Sequence, residues 1–306
     1  MSVSIEELAR APELADYQDE PAQLPVGAAG KDGFLRMEFV WRDGRTILSA
    51  SQHRAPLAAH RALYWDESLP SMACVFIISV GGSLVQGDRL QIELALGPGA
   101  QAHVTNQAAT CIYSMNANYA AQAQRISLED NAYLEYLPDM IIPHKHSRFI
   151  THTLVTAAPS ATMLYSEILM PGRKHMGGEV FQYDVFSSEL SARRPDGTEL
   201  FTEKFIIQPR QMDVRRVGVM GEFDVFGNVL LLADRQLTDQ VLWEAPTGFQ
   251  PERGWAAGAS RLPYDAGLIY KILGHESAVV VDKVREFATL VRREKFGIDR
   301  PIRRPF

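Results

Sequence analysis

Cysteine is almost missing from this chain of 306 residues: only Cys74 and Cys111 occur. Two thiols exclude a disulfide framework and a four-cysteine zinc centre, and such sparing use fits a reducing compartment. Long apolar runs are missing too. No stretch reaches the ~18 apolar residues of a spanning helix, and the N-terminus has no basic-then-apolar leader pattern. A soluble, cytoplasmic protein is therefore expected. Basic excess is also absent, and a formal net charge of -6 argues against nucleic acid or an anionic membrane as the main partner.

What is present is an ordinary globular balance of 46% hydrophobic and 22% charged residues, enough for one large core or two small ones. Residues 1–30 stand apart, with six acids against one arginine and three prolines. They read as a mobile acidic extension with one short helical turn near Ile5 to Leu8. Residues 31–306 read as a single β-rich domain, in which period-two alternation and short apolar runs are punctuated by Gly, Pro, Asn and Asp. SELSARRPDGTELFTEKF predicts a hairpin turning at Pro-Asp-Gly. About two helices are expected. NANYAAQAQ is the weaker; the other lies near the C-terminus, where Val280, Val284, Phe287 and Val291 share one face ahead of Gly297.

A weak internal repeat aligns Ala100, Ala132 and Ala161, at spacings of 32 and 29 residues. Each opens a strand after a turn of small residues. The fold class that follows is mainly β, either stacked and β-helix-like or built of layered antiparallel sheets.

GGSLVQGDRL, residues 81–90, could be a phosphate loop or a turn that presents a carboxylate. Its glycines, Gly81, Gly82 and Gly87, do not follow G-x-G-x-x-G, and no Lys-Ser or Lys-Thr follows. The next residues, RLQIELAL, alternate like a strand, so no helix N-terminus is available to grip an anion. The loop is a strand connection that places Asp88.

Four segments in order resemble the urease accessory protein family UreD, also called UreH. Gly81, Gly82, Gly87 and Asp88 match its first turn. Gly99, Ala100, Ala102, Thr105, Ala108, Ala109, Thr110 and Tyr113 match its second segment. Leu134, Glu135, Leu137 and Pro138 match the third, with Tyr136 in place of the family's tryptophan. Glu167, Gly172 and Arg173 match the fourth. Cys111 and Ser114 stand where the family usually carries lysine and arginine. The resemblance covers about residues 33–306.

The resemblance implies a non-catalytic β-rich scaffold that joins UreF-type and UreG-type partners, docks on apo-urease and helps nickel reach its active site through a water-filled passage. It leaves room for a dimer of the accessory complex. No tightly bound cofactor is implied, only nickel held in transit. Large apolar partner surfaces are expected, as such scaffolds tend to be poorly soluble alone.

Nickel(II) accepts imidazole, carboxylate, water and thiolate ligands, and a conduit must attract its ion without trapping it. The passage candidates are Asp88, Glu135, Asp139, Glu167, His103 and Asn106. In the repeat alignment Glu167 and Asn106 fall at one rung position, and Glu135 and His103 at another. In PHKHSRF, His144 and His146 would face one way on a strand and could meet a metal transiently, as could the Cys111 thiolate. A cupin-type metal enzyme is disfavoured because no glutamate follows the histidine pair. His175 is placed in an exposed turn, and the arginine-rich runs VRREKFG and DRPIRRPF in solvated helix and tail. The alternative is a glycosidase-like hydrolase with Glu135 and Glu167 as paired acid and base, which requires their carboxyls ~5–10 Å apart in one cleft.

Overall fold

A computed structural model describes residues 4–20 and 32–302. Its strands are, in chain order, β1 (Asp32–Arg42), β2 (Arg45–Arg54), β3 (Leu57–Ala59), β4 (Ala73–Ser79), β5 (Ser83–Leu84), β6 (Arg89–Leu96), β7 (Gln101–Asn106), β8 (Thr110–Ile112), β9 (Ala120–Leu128) and β10 (Tyr133–Tyr136). There follow β11 (Ile141–Pro143), β12 (Arg148–Ala157), β13 (Thr162–Leu169), β14 (Val185–Arg193), β15 (Glu199–Ile207), β16 (Val225–Leu232), β17 (Gly248–Gln250), β18 (Trp255–Arg261) and β19 (Gly267–Gly274). The α-helices are α1 (Ile5–Leu8), α2 (Arg235–Glu244) and α3 (Ser277–Phe296).

These strands make two layers. A seven-stranded sheet runs β15-β14-β12-β9-β6-β1-β2, and a twelve-stranded one runs β17-β18-β19-β16-β13-β10-β7-β4-β3, with β5, β8 and β11 attached beside it. The chain steps from one layer to the other and back, β6 to β7, β9 to β10, β12 to β13. Each step adds a parallel strand to each sheet. The centre is therefore stacked and parallel, as in a β-helix, while the margins are antiparallel. Register follows the alanine repeat. Gln101, Tyr133 and Thr162, the residues after Ala100, Ala132 and Ala161, lie opposite one another.

The main core fills the space between the layers, with Leu35, Phe39, Leu94, Val104, Leu134 and Phe186 all buried. A second core lies outside the larger sheet, where Val280, Val284, Phe287 and Val291 of α3 pack on Val229, Leu231, Tyr270 and Ile272. The predicted face of α3 is the one that is buried, and Gly297 closes the helix at φ 68°. The hairpin is also present, β14 pairing with β15 across the Pro-Asp-Gly turn.

NANYAAQAQ is not a helix. Asn118 takes φ 58°, and from Ala120 the chain is β9, paired in parallel with both β6 and β12. Alanine and glutamine favour helix locally, but two ladders of interstrand bonds override that preference. The second helix is instead α2, capped by Asp234, whose Oδ1 accepts the Leu237 N–H at 2.9 Å. The short turn at Ile5–Leu8 is α1, with a Ser4/Glu7 capping box. Leu8 and Leu14 are buried on the outer face of β9 and β12, against Ala121, Ala123, Ile150 and Leu154. The remainder of the expected extension, residues 1–3 and 21–30, lies outside the described residues, as do residue 31 and the final residues 303–306.

Helix α3 sits close on β16 because Gly227 has no side chain. A Cβ there would lie 2.7 Å from Val280 Cγ1. Gly227→Ala is expected to lower the unfolding free energy by about 1–3 kcal/mol through overpacking, measured by urea denaturation, and adding Val280→Ala should restore part of the loss.

Candidate functional site

Side chains alternate across a strand, so in-register parallel strands sort their residues onto two faces. On β7, β10 and β13, positions 104, 136 and 165 face the opposing sheet, whereas His103, Glu135 and Leu164 form the next rung and face α3. Glu167 is three residues beyond Leu164, an odd offset, and faces inward. Glu135 and Glu167 thus occupy opposite faces of one sheet. They cannot flank a common bond, and the hydrolase reading is overturned.

The inward face carries a polar layer through an otherwise apolar core. Gln122, Thr151 and Ser188 lie side by side on β9, β12 and β14, and Gln124 and Thr153 form the adjacent rung. Across from them stand Glu167 and its register partner Asn228. Tyr136 donates to Gln124 Oε1 at 2.7 Å, and Gln124 Nε2 donates to Thr153 Oγ1 at 2.9 Å. Glu167 accepts from Ser188 Oγ at 3.1 Å through Oε2, while its Oε1 has no donor in hydrogen-bonding geometry although the Tyr165 side chain lies beside it. Burial, assisted by the charge of Glu203 and opposed by Ser188 and Tyr165, pushes the Glu167 carboxyl up to about 7.

Gln122, Gln124, Tyr136, Thr151 and Glu167 border a cavity of about 160 Å³ between the sheets, lined also by Asn106, Asp139 and Gly82 and by residues 107–110. Asn106 and Glu167, assigned to one rung position by the repeat, do line the same space. Gly82 belongs to the glycine loop, where it adopts φ 76°, and Gly87 adopts φ 82°. Asp88 is buried in that loop, its Oδ2 accepting the Val85 N–H at 2.9 Å. It braces the connection and does not line the cavity.

On the α3 face, Glu135 is fully buried and accepts four bonds. Arg292 Nε and the Tyr133 hydroxyl reach Oε1 at 2.6 and 2.7 Å, and Arg292 Nη2 and His103 Nδ1 reach Oε2, both at 2.7 Å. Arg292 Nη1 also contacts Asp66 Oδ2 at 2.6 Å. Burial alone would raise the Glu135 carboxyl, but Arg292 and His103 together hold it down at about 2. This is a saturated ionic cluster. Arg292, expected in a solvated run, is 1% exposed. Its spacing was a usable signal, as it follows Ala288 by four residues and Val284 by eight, on the buried face of the helix.

The histidine pair does not lie on one strand. β11 ends at Pro143, and His146 turns with φ 60°, so strand alternation does not apply. His144 stacks on Tyr113 with ring centroids 4.9 Å apart, and burial followed by the Arg173 charge lowers its pKa. His146 Nδ1 accepts from Arg210 Nη2 at 2.6 Å. Cys111 lies between Ser83 and Ile142 in the small sheet of β5, β8 and β11, and burial raises its thiol. Arg173 pairs with Glu179, Nε to Oε2 at 2.8 Å. Gly172 makes that turn with φ 134°, and a Cβ there would lie 2.4 Å from the Glu179 carbonyl oxygen. Among the described residues no three His, Cys, Asp or Glu side chains converge on one point. The inter-sheet cavity instead offers two carboxylates, Asp139 and Glu167, amid amide and hydroxyl groups, a donor set suited to brief contact with a borderline cation.

A family model described as UreD urease accessory protein matches residues 31–305. The chain is 52% identical over 295 residues to the urease accessory protein UreD 2 of Brucella suis biovar 1, covering 96% of this chain and 98% of that protein. It is 53% identical over 288 residues to the protein of the same name from Brucella canis, covering 94% and 95%. It is 46% identical over 298 residues to the urease accessory protein UreD of Yersinia enterocolitica, covering 95% and 91%.

Removing Arg292 would strand the Glu135 charge. Arg292→Met is expected to cost roughly 3–5 kcal/mol, and the Arg292→Met, Glu135→Leu pair should cost less than the sum of the single changes, read from denaturant midpoints. The two buried glutamates give opposite pH trends. Stability from Glu135 is fully present above pH 4.5 and is lost as pH falls toward about 2. Stability from Glu167 is fully present below pH 4.5 and is lost as pH rises through about 7. Glu167→Gln should therefore gain on the unsubstituted protein across that second window, by roughly 3 kcal/mol at its upper end, in urea titrations at several pH values.

Proposed function

The chain belongs to the UreD urease accessory protein family, and from that premise we propose that it assists nickel delivery to apo-urease, acting in the cytoplasm with UreF-type and UreG-type partners. Its role is in urease maturation, as an accessory protein and not an enzyme. The observation that carries the finer reading is Glu167, a buried carboxylate with one uncommitted oxygen inside a polar layer between two sheets.

A carboxyl poised near neutrality can exchange its proton for a divalent ion. Burial disfavours the lone anion, and an arriving cation compensates that charge. Departure restores the proton, so the site need not retain its cargo. Surrounding amides and hydroxyls can replace part of the ion's water shell without adding charge. Asp88 and Gly82 then serve indirectly, by holding the loop at the cavity rim. No helix among the described residues is long and apolar enough to cross a membrane, and the proposal calls for none.

Co-expression of urease with its accessory proteins under scarce nickel tests the reading. Glu167→Gln should lower the nickel content per urease active site several-fold, with the variant chain still recovered alongside UreF- and UreG-type proteins. Fully metallated urease from that variant would overturn the role given to Glu167. Full metallation in cells lacking the chain altogether would overturn the delivery reading.

A further inference from the structure

Residues 4–20 lie on the outer face of the seven-stranded sheet and fold within themselves. The capping box closes α1, and a 3-10 turn follows over Pro12–Tyr17. Gln18 Nε2 ties the two together, donating to the Ala9 and Leu14 carbonyls at 3.2 and 3.0 Å. Among the described residues, no backbone-to-backbone hydrogen bond joins this segment to a strand. Its hold on the sheet is made by side chains. Leu8 and Leu14 sit over Tyr119, Ala121, Ala123, Ile150 and Leu154, where the two alanines leave room for them. Glu13 is the polar latch: its side chain is 4% exposed and accepts from Ser187 Oγ at 2.6 Å and Lys204 Nζ at 2.9 Å. The Arg148 guanidinium lies over the Tyr17 ring, 4.4 Å from its centroid, and Asn118 Nδ2 donates to the Asp19 carbonyl at 3.1 Å. The fit is incomplete. A crevice of about 330 Å³ stays open between the segment and the sheet, with Arg10 and Ala11 on one wall and His152, Glu189 and Lys204 on the other.

We propose that this face is a docking surface for an acidic amphipathic segment, that residues 4–20 occupy it as a displaceable resident, and that a partner protein's segment of the same chemistry takes their place. A segment that carries its own hydrogen bonds leaves without opening a ladder, so release breaks only side-chain contacts. Those contacts are few for a free peptide. They suffice here because the chain tethers the segment to β1, giving it an effective concentration roughly in the millimolar range. Release uncovers an apolar floor with a cation at its edge, a surface that a soluble chain keeps covered. Arg148 retains Asp184, at 2.7 Å. Lys204 is left with Glu189 at 3.8 Å, so it is the group that an incoming carboxylate meets. The segment precedes the residues matched by the family model, 31–305, so the cover is an addition to the part that model describes. The crevice argues for a foreign occupant. A second copy's identical segment would make the same contacts without the tether and cannot displace the resident. A partner's segment with a larger apolar side chain at the place of Ala11 fills the crevice and can.

The test uses the full-length chain and a fluorescently labelled synthetic peptide of residues 4–20, read by anisotropy. In the Leu14→Asp chain the resident would carry a charge into a fully buried position and is driven off. The peptide should therefore bind that chain roughly tenfold or more tighter than the unsubstituted one, where the tethered resident competes. A peptide with the same Leu14→Asp change should lose binding, Glu13→Gln should weaken it several-fold, and Ala11→Leu should strengthen it several-fold. If the Leu14→Asp chain does not fold, hydrogen exchange on the unsubstituted chain decides. Saturating Ala11→Leu peptide should strip protection from the resident's amides while β9 and β12 keep theirs. Peptides that bind neither chain, or resident amides that open only together with the strands beneath, overturn the proposal. A concentration-dependent dimer of the unsubstituted chain that Leu14→Asp abolishes assigns the face to a second copy and overturns the partner reading. Nickel plays no part in this experiment, so the docking surface and the delivery reading stand or fall separately.

Discussion

The in-register stacking of β7, β10 and β13 is the constraint on which the other features depend. Parallel neighbours repeat one another's facing, so a strand position fixes the environment of its counterparts in adjacent rungs. The rung His103, Glu135 and Leu164 is committed to α3, and the rung Val104, Tyr136 and Tyr165 to the opposing sheet. A slip of one residue would exchange the two sets and place an ionic cluster in the main core. The repeat of small residues before each strand, centred on Ala100, Ala132 and Ala161, helps prevent that slip. All three are buried where the chain turns into the sheet.

Two kinds of polar burial result, and they behave differently. The Glu135 cluster is saturated. Four donors surround one carboxylate, and a buried guanidinium balances its charge, so the arrangement costs little once formed and much if any partner is removed. It pins a C-terminal helix to a strand 157 residues earlier in the chain. The inter-sheet layer is unsaturated. Glu167 Oε1 and Thr151 Oγ1, on residues that line the cavity, have no hydrogen-bond partner among the described residues, which is expensive for a core that only has to be stable. Unsatisfied groups gathered around a cavity are what a site for a passing hydrated ion requires.

The layers also protect the polar seam. One outer face of the molecule is covered by α2 and α3, and part of the other by residues 4–20, with Leu14 fully buried and Glu13 accepting from Ser187 Oγ at 2.6 Å. Ser187 and Ser188 are neighbours on β14 and so face opposite ways, the first toward the N-terminal segment and the second toward Glu167. One strand therefore carries the cover and the cavity on alternate residues.

Local signals in the sequence determined much of the architecture. Alternation, the Pro-Asp-Gly turn, the apolar face of α3 and the 29- to 32-residue repeat are read directly, because each depends on neighbours or on a regular period. The repeat even predicted that Glu135 and His103 share a rung. Tertiary structure decided the rest. NANYAAQAQ became strand because two partners offered hydrogen bonds that its own helix-forming residues could not outweigh. Arg292, charged and close to the C-terminus, became interior because two distant carboxylates met it there. Glu135 and Glu167 look alike in sequence, yet one is saturated and the other is not, since an odd offset from a common rung sent them to opposite faces. How far each buried carboxylate is satisfied depends on what packs against its face, and that is set only when the layers close.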